Sequence, residues 1–599
     1  MSGASADRLE PNASAWTPIE WYGVIGDGRT VALIARDGNI DWLPMPDLDS
    51  PPAFAAILDP EHGGRICLQP DQPFETEHRY LPDTNVLETT FVTPTGRLRL
   101  TDALTVGMGG RLPWNELVRH AEVLSGDVSI RWTVEPGRKF GSAAPWTQSR
   151  DGGSRLTLHC GDEVMGLRAF GLGEPMTQGS TIGGGAQLSA GQSGVLGLTS
   201  SDAGQVWLPN REELEDRLER TVDRWREWAA TVNVSGRWAE KVRRSALALK
   251  LLIFAPTGAI AAAGTTSLPE RIGGDKNWDY RYMWVRDAAF TADAFMSLDL
   301  YEEVHACVAW LLKVISESSP DIHVMYTLRG EVARRVTELN APGYLNSRPV
   351  RSGNDATTQR QLGTFGDLFD TVWTYVRRNH VLDSRTGRML SLLADRCCDV
   401  WETADSGIWE LNQQRHYTIS KIGCWVALDR AVKLHGAGQI ACTHPGRWRA
   451  ERDRIKHWVN RNCWSTVKQS YTFYSGTDDL DAAVLLAGQT GFDRGDRLAG
   501  TVRAVTQELA SGPLVWRYTG AKEEEGGFLA CTFWLITAMC WSGQKTAAGE
   551  LMDRAVDLTN DLGLFSEQMS SGSTLLGNIP QGLSHLALVN AATALNEMD

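Results

Sequence analysis

No CxxC pair, no apolar run long enough to span a bilayer and no excess of basic residues occur in this chain, and each absence excludes a class of protein. The ten cysteines are scattered apart from the adjacent Cys397 and Cys398. Neither a zinc site nor a disulfide framework is therefore expected, and the thiols read as small buried apolar groups. The opening residues, MSGASADRLEPNASAW, lack the apolar segment of a signal peptide, so the chain is expected to be cytoplasmic with no membrane partner. Lys and Arg number 59 against 73 Asp and Glu, a net charge of −14 that leaves no general basic face for a nucleic acid. What is abundant is tryptophan: 23 residues against 15 Phe and 12 Tyr. Indoles fill large cores, and they also stack on the C–H faces of sugar rings, so composition leaves both readings open.

The chain changes period along its length. Residues 1–208 read as an N-terminal sheet domain. Thr30 to Ala35 and Ile40 to Leu43 flank the turn Arg36-Asp37-Gly38-Asn39, Phe91 to Thr93 and Arg97 to Leu100 flank Pro94-Thr95-Gly96, and Val128 to Val134 alternates apolar with polar. Short strands at regular spacing point to an antiparallel sandwich. Residues 209–234 are charged and free of turn signals, and read as a linking helix. From 235 to 599 the period is helical, as in Trp238, Val242, Ala246, Leu249 and Leu252, with loops rich in Gly, Pro, Asn and Trp. Further helices are expected near 302–316, 366–379, 388–403, 419–432, 526–541 and 546–560, in a helical toroid or bundle.

Four loops of the helical part carry chemistry. Residues 273–287 crowd aromatics, cations and carboxylates together, including Tyr280, Trp284, Arg286 and Asp287. Aromatics shape a sugar pocket, and an Arg–Asp pair donates to and accepts from adjacent hydroxyls; the plainer reading is a structural salt bridge among rings. Gly407-Ile408-Trp409-Glu410 sets a carboxyl beside an indole, which in a dry site disfavours the charged form and suits a general acid. Glu567 follows an apolar, Gly-containing stretch and stands as a partner carboxylate, since glycosidic cleavage needs two. Either glutamate alone is more simply a solvated surface residue. His585 reads as a hydrogen-bonding residue, because no second His lies at ligand spacing. In Pro349 to Ala356, Asn354 or Asp355 reads as an N-cap and Arg351 as facing the pocket.

These segments, in this order, resemble glycoside hydrolase family 15. The resemblance runs from Tyr22-Gly23-Val24-Ile25-Gly26-Asp27-Gly28 through Asp37 to Trp42, Thr266 to Glu270, Asn277 to Asp287, Gly407 to Glu410, Ser420 to Arg430 and Gly577 to His585. It implies an N-terminal antiparallel β-supersandwich followed by an (α/α)6 barrel, with a pocket at the barrel mouth. By motif it implies Glu410 as general acid and Glu567 as general base of an inverting, exo-acting α-glucosidase. Arg286 and Asp287 fall on the pair that holds the terminal glucose, Tyr280, Trp284 and Trp409 on the aromatic wall, and Tyr326 on a further subsite aromatic. No cofactor or metal is required, and no oligomeric state is read from the sequence.

The chain departs from the family pattern on the aglycone side. Lys276 stands where Arg is usual, Leu411 follows the acid where fungal glucoamylases carry a second Glu, and the loop 519–527 is short and acidic. The expected substrate is a short α-gluco-oligosaccharide, in the manner of a glucoamylase or isomaltose glucohydrolase, with α,α-trehalose as the alternative. An inverting sugar phosphorylase or a non-catalytic sugar-binding protein are readings from other classes; the presence of both carboxylates argues against them.

Overall fold

A computed structural model describes residues 16–107, 114–150, 155–201, 205–442 and 444–597. Between Tyr22 and Ser200 the chain forms one antiparallel sheet of fifteen strands. The turn at Arg36 to Asn39 joins Val31–Ala35 to Ile40–Pro44, and the turn after Val92 joins Leu87–Val92 to Gly96–Leu104, as the turn residues imply. The 22-residue strand Asn115–Pro136 organises the sheet. Its first half pairs with Gly96–Leu104 and Ser193–Ser200, its second half with Gly64–Pro70 and Thr181–Ser189. Val128, Ile130, Trp132 and Val134 are buried along it, which is the alternation visible in the sequence.

Thirteen α-helices follow among the described residues: α1 Arg211–Thr231, α2 Ala239–Leu251, α3 Val285–Ser297, α4 Tyr301–Ser318, α5 Gly363–Arg377, α6 Ser384–Val400, α7 Thr418–Gly436, α8 Pro445–Asn462, α9 Leu486–Thr490, α10 Asp496–Glu508, α11 Leu529–Trp541, α12 Lys545–Ala555 and α13 Gly582–Asn596. The linking helix α1 starts with a capping box: the Glu213 N–H donates to Asn210 Oδ1 at 3.0 Å and the Asn210 N–H donates to Glu213 Oε2 at 2.7 Å. It lies on the sheet through Leu214, Leu218 and Trp225, and through Arg217 paired with Glu116. Its far end reaches the helical part, where Trp228 donates to Glu303. None of the helices is long and apolar enough to cross a membrane among the described residues.

In the helical part α3, α5, α7, α9, α11 and α13 pack in that order, and α13 returns to α3 to close a ring. Helices α2, α4, α6, α8, α10 and α12 each pack on a ring member. Ring helices are enclosed, so α11 and α13 are apolar on almost every face and carry no amphipathic period. Helix α2 stops at Leu251 because Ile253–Phe254 folds back on Ala259–Ile260 around Pro256 and Gly258.

Sheet and ring share one continuous apolar core. Polar contacts fix their relative placement: the Trp42 indole donates to Gly264 O (3.0 Å), Asn85 to Leu247 O (3.0 Å) and Asn560 to Tyr22 O (2.9 Å). The strongest tie is Arg281, fully sequestered with Asp279. Its guanidinium donates twice to that carboxylate, at 2.9 and 2.8 Å, once to Ser50 O at 2.7 Å, and lies 5.7 Å over Trp42. The bidentate pairing offsets the desolvation of both charges only while both are present. Arg281→Met is therefore expected to lose about 3–5 kcal/mol, because it strands a buried carboxylate. A urea melt reads this as a lower midpoint, and the Asp279→Asn/Arg281→Met double variant is expected to recover part of it.

Candidate active site

After an isolated bridge at Asp279 the chain bends at Tyr282 and enters the two-residue strand Met283–Trp284. Asp279 and Arg281 face the sheet domain, while Tyr280 and Trp284 line an open cavity of about 1270 Å³, its solvent-filled mouth included. The two rings meet edge to face at 5.6 Å. Helix α3 begins directly after Trp284 and carries Arg286 and Asp287 in its first turn. The Arg286 guanidinium donates to Asp287 Oδ2 through Nε (3.0 Å), with Nη2 at 2.8 Å from the same oxygen, and to Ile408 O (3.0 Å). This last bond ties the pair to the loop that carries Glu410.

That loop is braced from below. The Lys421 ammonium is buried and donates to Trp401 O (2.6 Å) and Thr403 O (2.5 Å), carbonyls just past the end of α6. A cation suits that negative helix end. Asp405 accepts from the Leu362 N–H at 2.8 Å, and the Gln359 amide donates to Glu410 O at 2.9 Å. Glu410 itself sits at φ 61°, a left-handed conformation that costs a non-glycine residue about 1–3 kcal/mol and persists because these bonds impose it. Its carboxylate accepts the Trp284 indole N–H at 2.7 Å and lies 3.7 Å from the Arg286 guanidinium. Burial pushes the Glu410 carboxyl above its ordinary range, against the pull of Arg286 and the Trp284 N–H.

Glu567 lies in a second braced segment. His585 accepts the Phe565 N–H at 3.1 Å and pairs with Ser245 through its other nitrogen; burial pushes it down to about 3, so it is a neutral structural residue. The Leu529 N–H donates to Glu567 O at 3.1 Å. Glu567 is 2 % exposed, and Gly577 packs directly on its carboxylate. A Cβ at Gly577 would fall 2.5 Å from Glu567 Oε2, and the backbone there has φ 74°, so only glycine fits. Burial and the neighbouring Glu270 raise the Glu567 carboxyl well above its ordinary range, opposed by Arg517 and the Tyr280 hydroxyl.

Seven of the expected residues, Tyr280, Trp284, Arg286, Asp287, Trp409, Glu410 and Glu567, line this one cavity. Two do not reach it. Tyr326 pairs with Met283 in a short two-stranded sheet, is 1 % exposed, and sets its hydroxyl 3.1 Å from Ser318 Oγ. Arg351 stacks 4.2 Å over Trp278 and donates to Asp275 O, so it backs a wall residue instead of facing the pocket. Asn354 caps a short 3-10 turn by accepting the Ala356 N–H at 2.9 Å, and also faces the cavity. Among the described residues no group of three or more His, Cys, Asp or Glu is arranged to hold a metal ion. All ten cysteines are free thiols, nine of them buried.

Further residues, not among those expected as site residues, enter the site. Glu270, Lys276, Trp278, Gln359 and Tyr518 line the cavity. Asp481 is buried behind it and accepts the Trp409 indole N–H at 2.8 Å, fixing that ring beside Phe528 and Trp534. Arg517 lies 5.5 Å over the same indole. A polar residue whose partner is distant in the chain looks like any surface residue until the fold closes.

Two carboxylates facing one sugar-sized cavity meet the demand of glycosidic cleavage, and the chain is a glycoside hydrolase. It belongs to glycosyl hydrolases family 15, whose model matches residues 236–593; a model described as trehalase-like, N-terminal, matches residues 12–186. It is 34 % identical to a trehalase of Mycolicibacterium smegmatis, over 96 % of this chain and 90 % of that one. It is 31 % identical to a trehalase of Thermoplasma volcanium, over 97 % and 94 % respectively. Among solved structures it is similar in fold to a bacterial glucoamylase complexed with acarbose, with a TM-score of 0.70 and 14 % identity over 100 % of this chain and 97 % of that one.

The Gly577 contact tests the site's geometry. Gly577→Ala is expected to displace the Glu567 carboxylate and lower turnover by about 100-fold, as small misplacements of a reacting group do. Circular dichroism is expected to show the fold retained; unchanged turnover in a folded variant would contradict the placement.

Proposed function

We propose that this enzyme hydrolyses α,α-trehalose to two glucose molecules in a pocket at the mouth of an (α/α)6 barrel, by a single inverting displacement. The closed ring α3–α5–α7–α9–α11–α13 with its companion helices supports the barrel reading. The observation that carries the substrate reading is full-length similarity at 34 % and 31 % to two trehalases, together with a cavity that holds both carboxylates. This favours trehalose over the glucoamylase- or isomaltose-type oligosaccharide that the motifs alone put first.

In this reading one glucose sits against Tyr280 and Trp284, with its hydroxyls held by Arg286 and Asp287. The protonated Glu410 gives its proton to the glycosidic oxygen as the C–O bond breaks. Glu567, as carboxylate, takes a proton from a water that forms the new C–O bond on the opposite face. The leaving group is the anomeric oxygen of the second glucose. Burial serves the acid, because it keeps Glu410 protonated to higher pH; activity is lost as pH rises through its pKa. The base works in the opposite sense: activity is lost as pH falls through the pKa of Glu567.

Glucose release across trehalose, maltose, isomaltose and longer α-glucans, in phosphate-free buffer, tests the substrate. Trehalose is expected to give the highest kcat/KM. A clear preference for maltose or isomaltose would overturn the trehalose assignment, and turnover that begins only once phosphate is added, with glucose 1-phosphate as product, would make the protein a phosphorylase. Glu410→Gln and Glu567→Gln are each expected to lower kcat by about 10²–10⁴-fold in folded protein, the range for a lost acid or base. Near-normal turnover in either variant removes that residue from its role.

A further inference from the structure

Beside Glu567, and lining the same cavity in part, lies a charge cluster that the acid–base scheme does not use. Glu270 is 2 % exposed and its Oε2 accepts from Arg517 Nη2 at 2.8 Å. Arg517 also donates to Glu525, through Nε to Oε1 at 2.6 Å and through Nη2 to Oε2. Lys276 adds a second cation, 3.2 Å from Glu525 and 2.9 Å from the exposed Glu524. The backbone brings this cluster to the base. The Gly577 N–H donates to Pro269 O at 2.8 Å, which sets the residue next to Glu270 against the glycine that packs on the Glu567 carboxylate. On the other side, Gly527–Phe528 pairs with Gln568–Met569, so Glu525 arrives beside the same carboxylate.

The charges do not balance. Three buried carboxylates, Glu270, Glu525 and Glu567, face one buried guanidinium and one partly exposed ammonium that is shared with Glu524. Glu525 is met by both cations, whereas Glu270 has one contact to Arg517, and among the described residues no cation lies within salt-bridge distance of Glu567. Two like charges buried close together resist ionising together and titrate as a pair. The neighbours of Glu567 agree: burial and Glu270 raise its proton affinity, while Arg517 and Tyr280 oppose them, and Glu270 is raised by burial and by Glu525.

We propose that Glu270 is the proton partner of Glu567: the two hold one proton, and catalysis proceeds when it rests on Glu270 and leaves Glu567 free to accept the proton of the attacking water. Glu270 is a positioning residue in this scheme, acting through Glu567 and Arg517. The role explains how a carboxyl as buried as Glu567 serves as a base. It rests on Glu567 being that base, though not on which α-glucoside is cleaved.

The test is the pH profile of kcat/KM for Glu270→Gln, on whichever α-glucoside the wild-type enzyme cleaves fastest. Glutamine mimics the protonated partner and keeps an oxygen toward Arg517. Glu270 already carries the proton in the active form, so the acidic limb is expected to stay in place or rise in Glu270→Gln. A fall of about one pH unit, the effect of losing a close like charge, would mean that Glu270 is charged in the active form and would overturn the proposal. A carboxyl 13C NMR titration of the substrate-free protein, with Glu567→Gln identifying the resonance, reads the shared proton without turnover. The wild-type Glu567 resonance is expected to move in two steps, Glu270→Gln to leave a single step, and Glu270→Asp to keep both. A single-step Glu567 titration in the wild type, or an unchanged one in folded Glu270→Gln, would overturn the proposal. A wild type that cleaves no α-glucoside would instead sink the functional reading and leave the NMR titration to decide on Glu270.

Discussion

The buried pair Asp279–Arg281 is the interaction on which the site depends. Its two charges cannot be stable in that place unless they meet each other and the backbone of the sheet domain, at Ser50 O. Holding them there fixes the backbone between them and so fixes which way Tyr280 points. Trp284 and the first turn of α3 follow a few residues later with no slack, and Arg286 and Asp287 enter the cavity as a consequence. The sheet domain, remote from any chemistry, thus acts as the abutment for one wall of the pocket.

The two glutamates reach the cavity by different local devices. Glu410 occupies a left-handed turn, strained and pinned by Gln359, Arg286 and Lys421. Glu567 stands at a bend just before the strand Gln568–Met569, where Gly577 leaves room for its carboxylate. One carboxyl is opposed by a guanidinium and an indole N–H, the other is pressed by a neighbouring carboxylate. The first set of neighbours favours a charged carboxylate and the second a protonated one, so the proposed base needs Glu270 to carry its proton.

Much of this was legible in the residues. The strand alternation of Val128 to Val134 and the Asp-Gly turn at 37–38 announced the sheet, and the periods of Trp238 to Leu252 and Ile419 to Val432 announced helices. Helices α3, α8, α9, α10 and α13 escaped notice, α13 because enclosure on every side erases the period that reveals an amphipathic helix. In the site, the ordered motifs pointed to seven cavity residues. They could not reveal that Tyr326 is buried in its short strand or that Arg351 braces Trp278, since both depend on which face of a short strand turns inward. Glu270, Asp481 and Arg517 became meaningful only through partners far along the chain.

The central claim is that water attacks opposite the departing sugar, with Glu410 and Glu567 on the two sides of the bond. The most direct measurement is 1H NMR of the product anomers in the first minutes of trehalose hydrolysis, before mutarotation. Inversion delivers one glucose as β and leaves the departing glucose as α, so equal amounts of the two are predicted. Release of α-glucose alone would mean retention and would contradict the account.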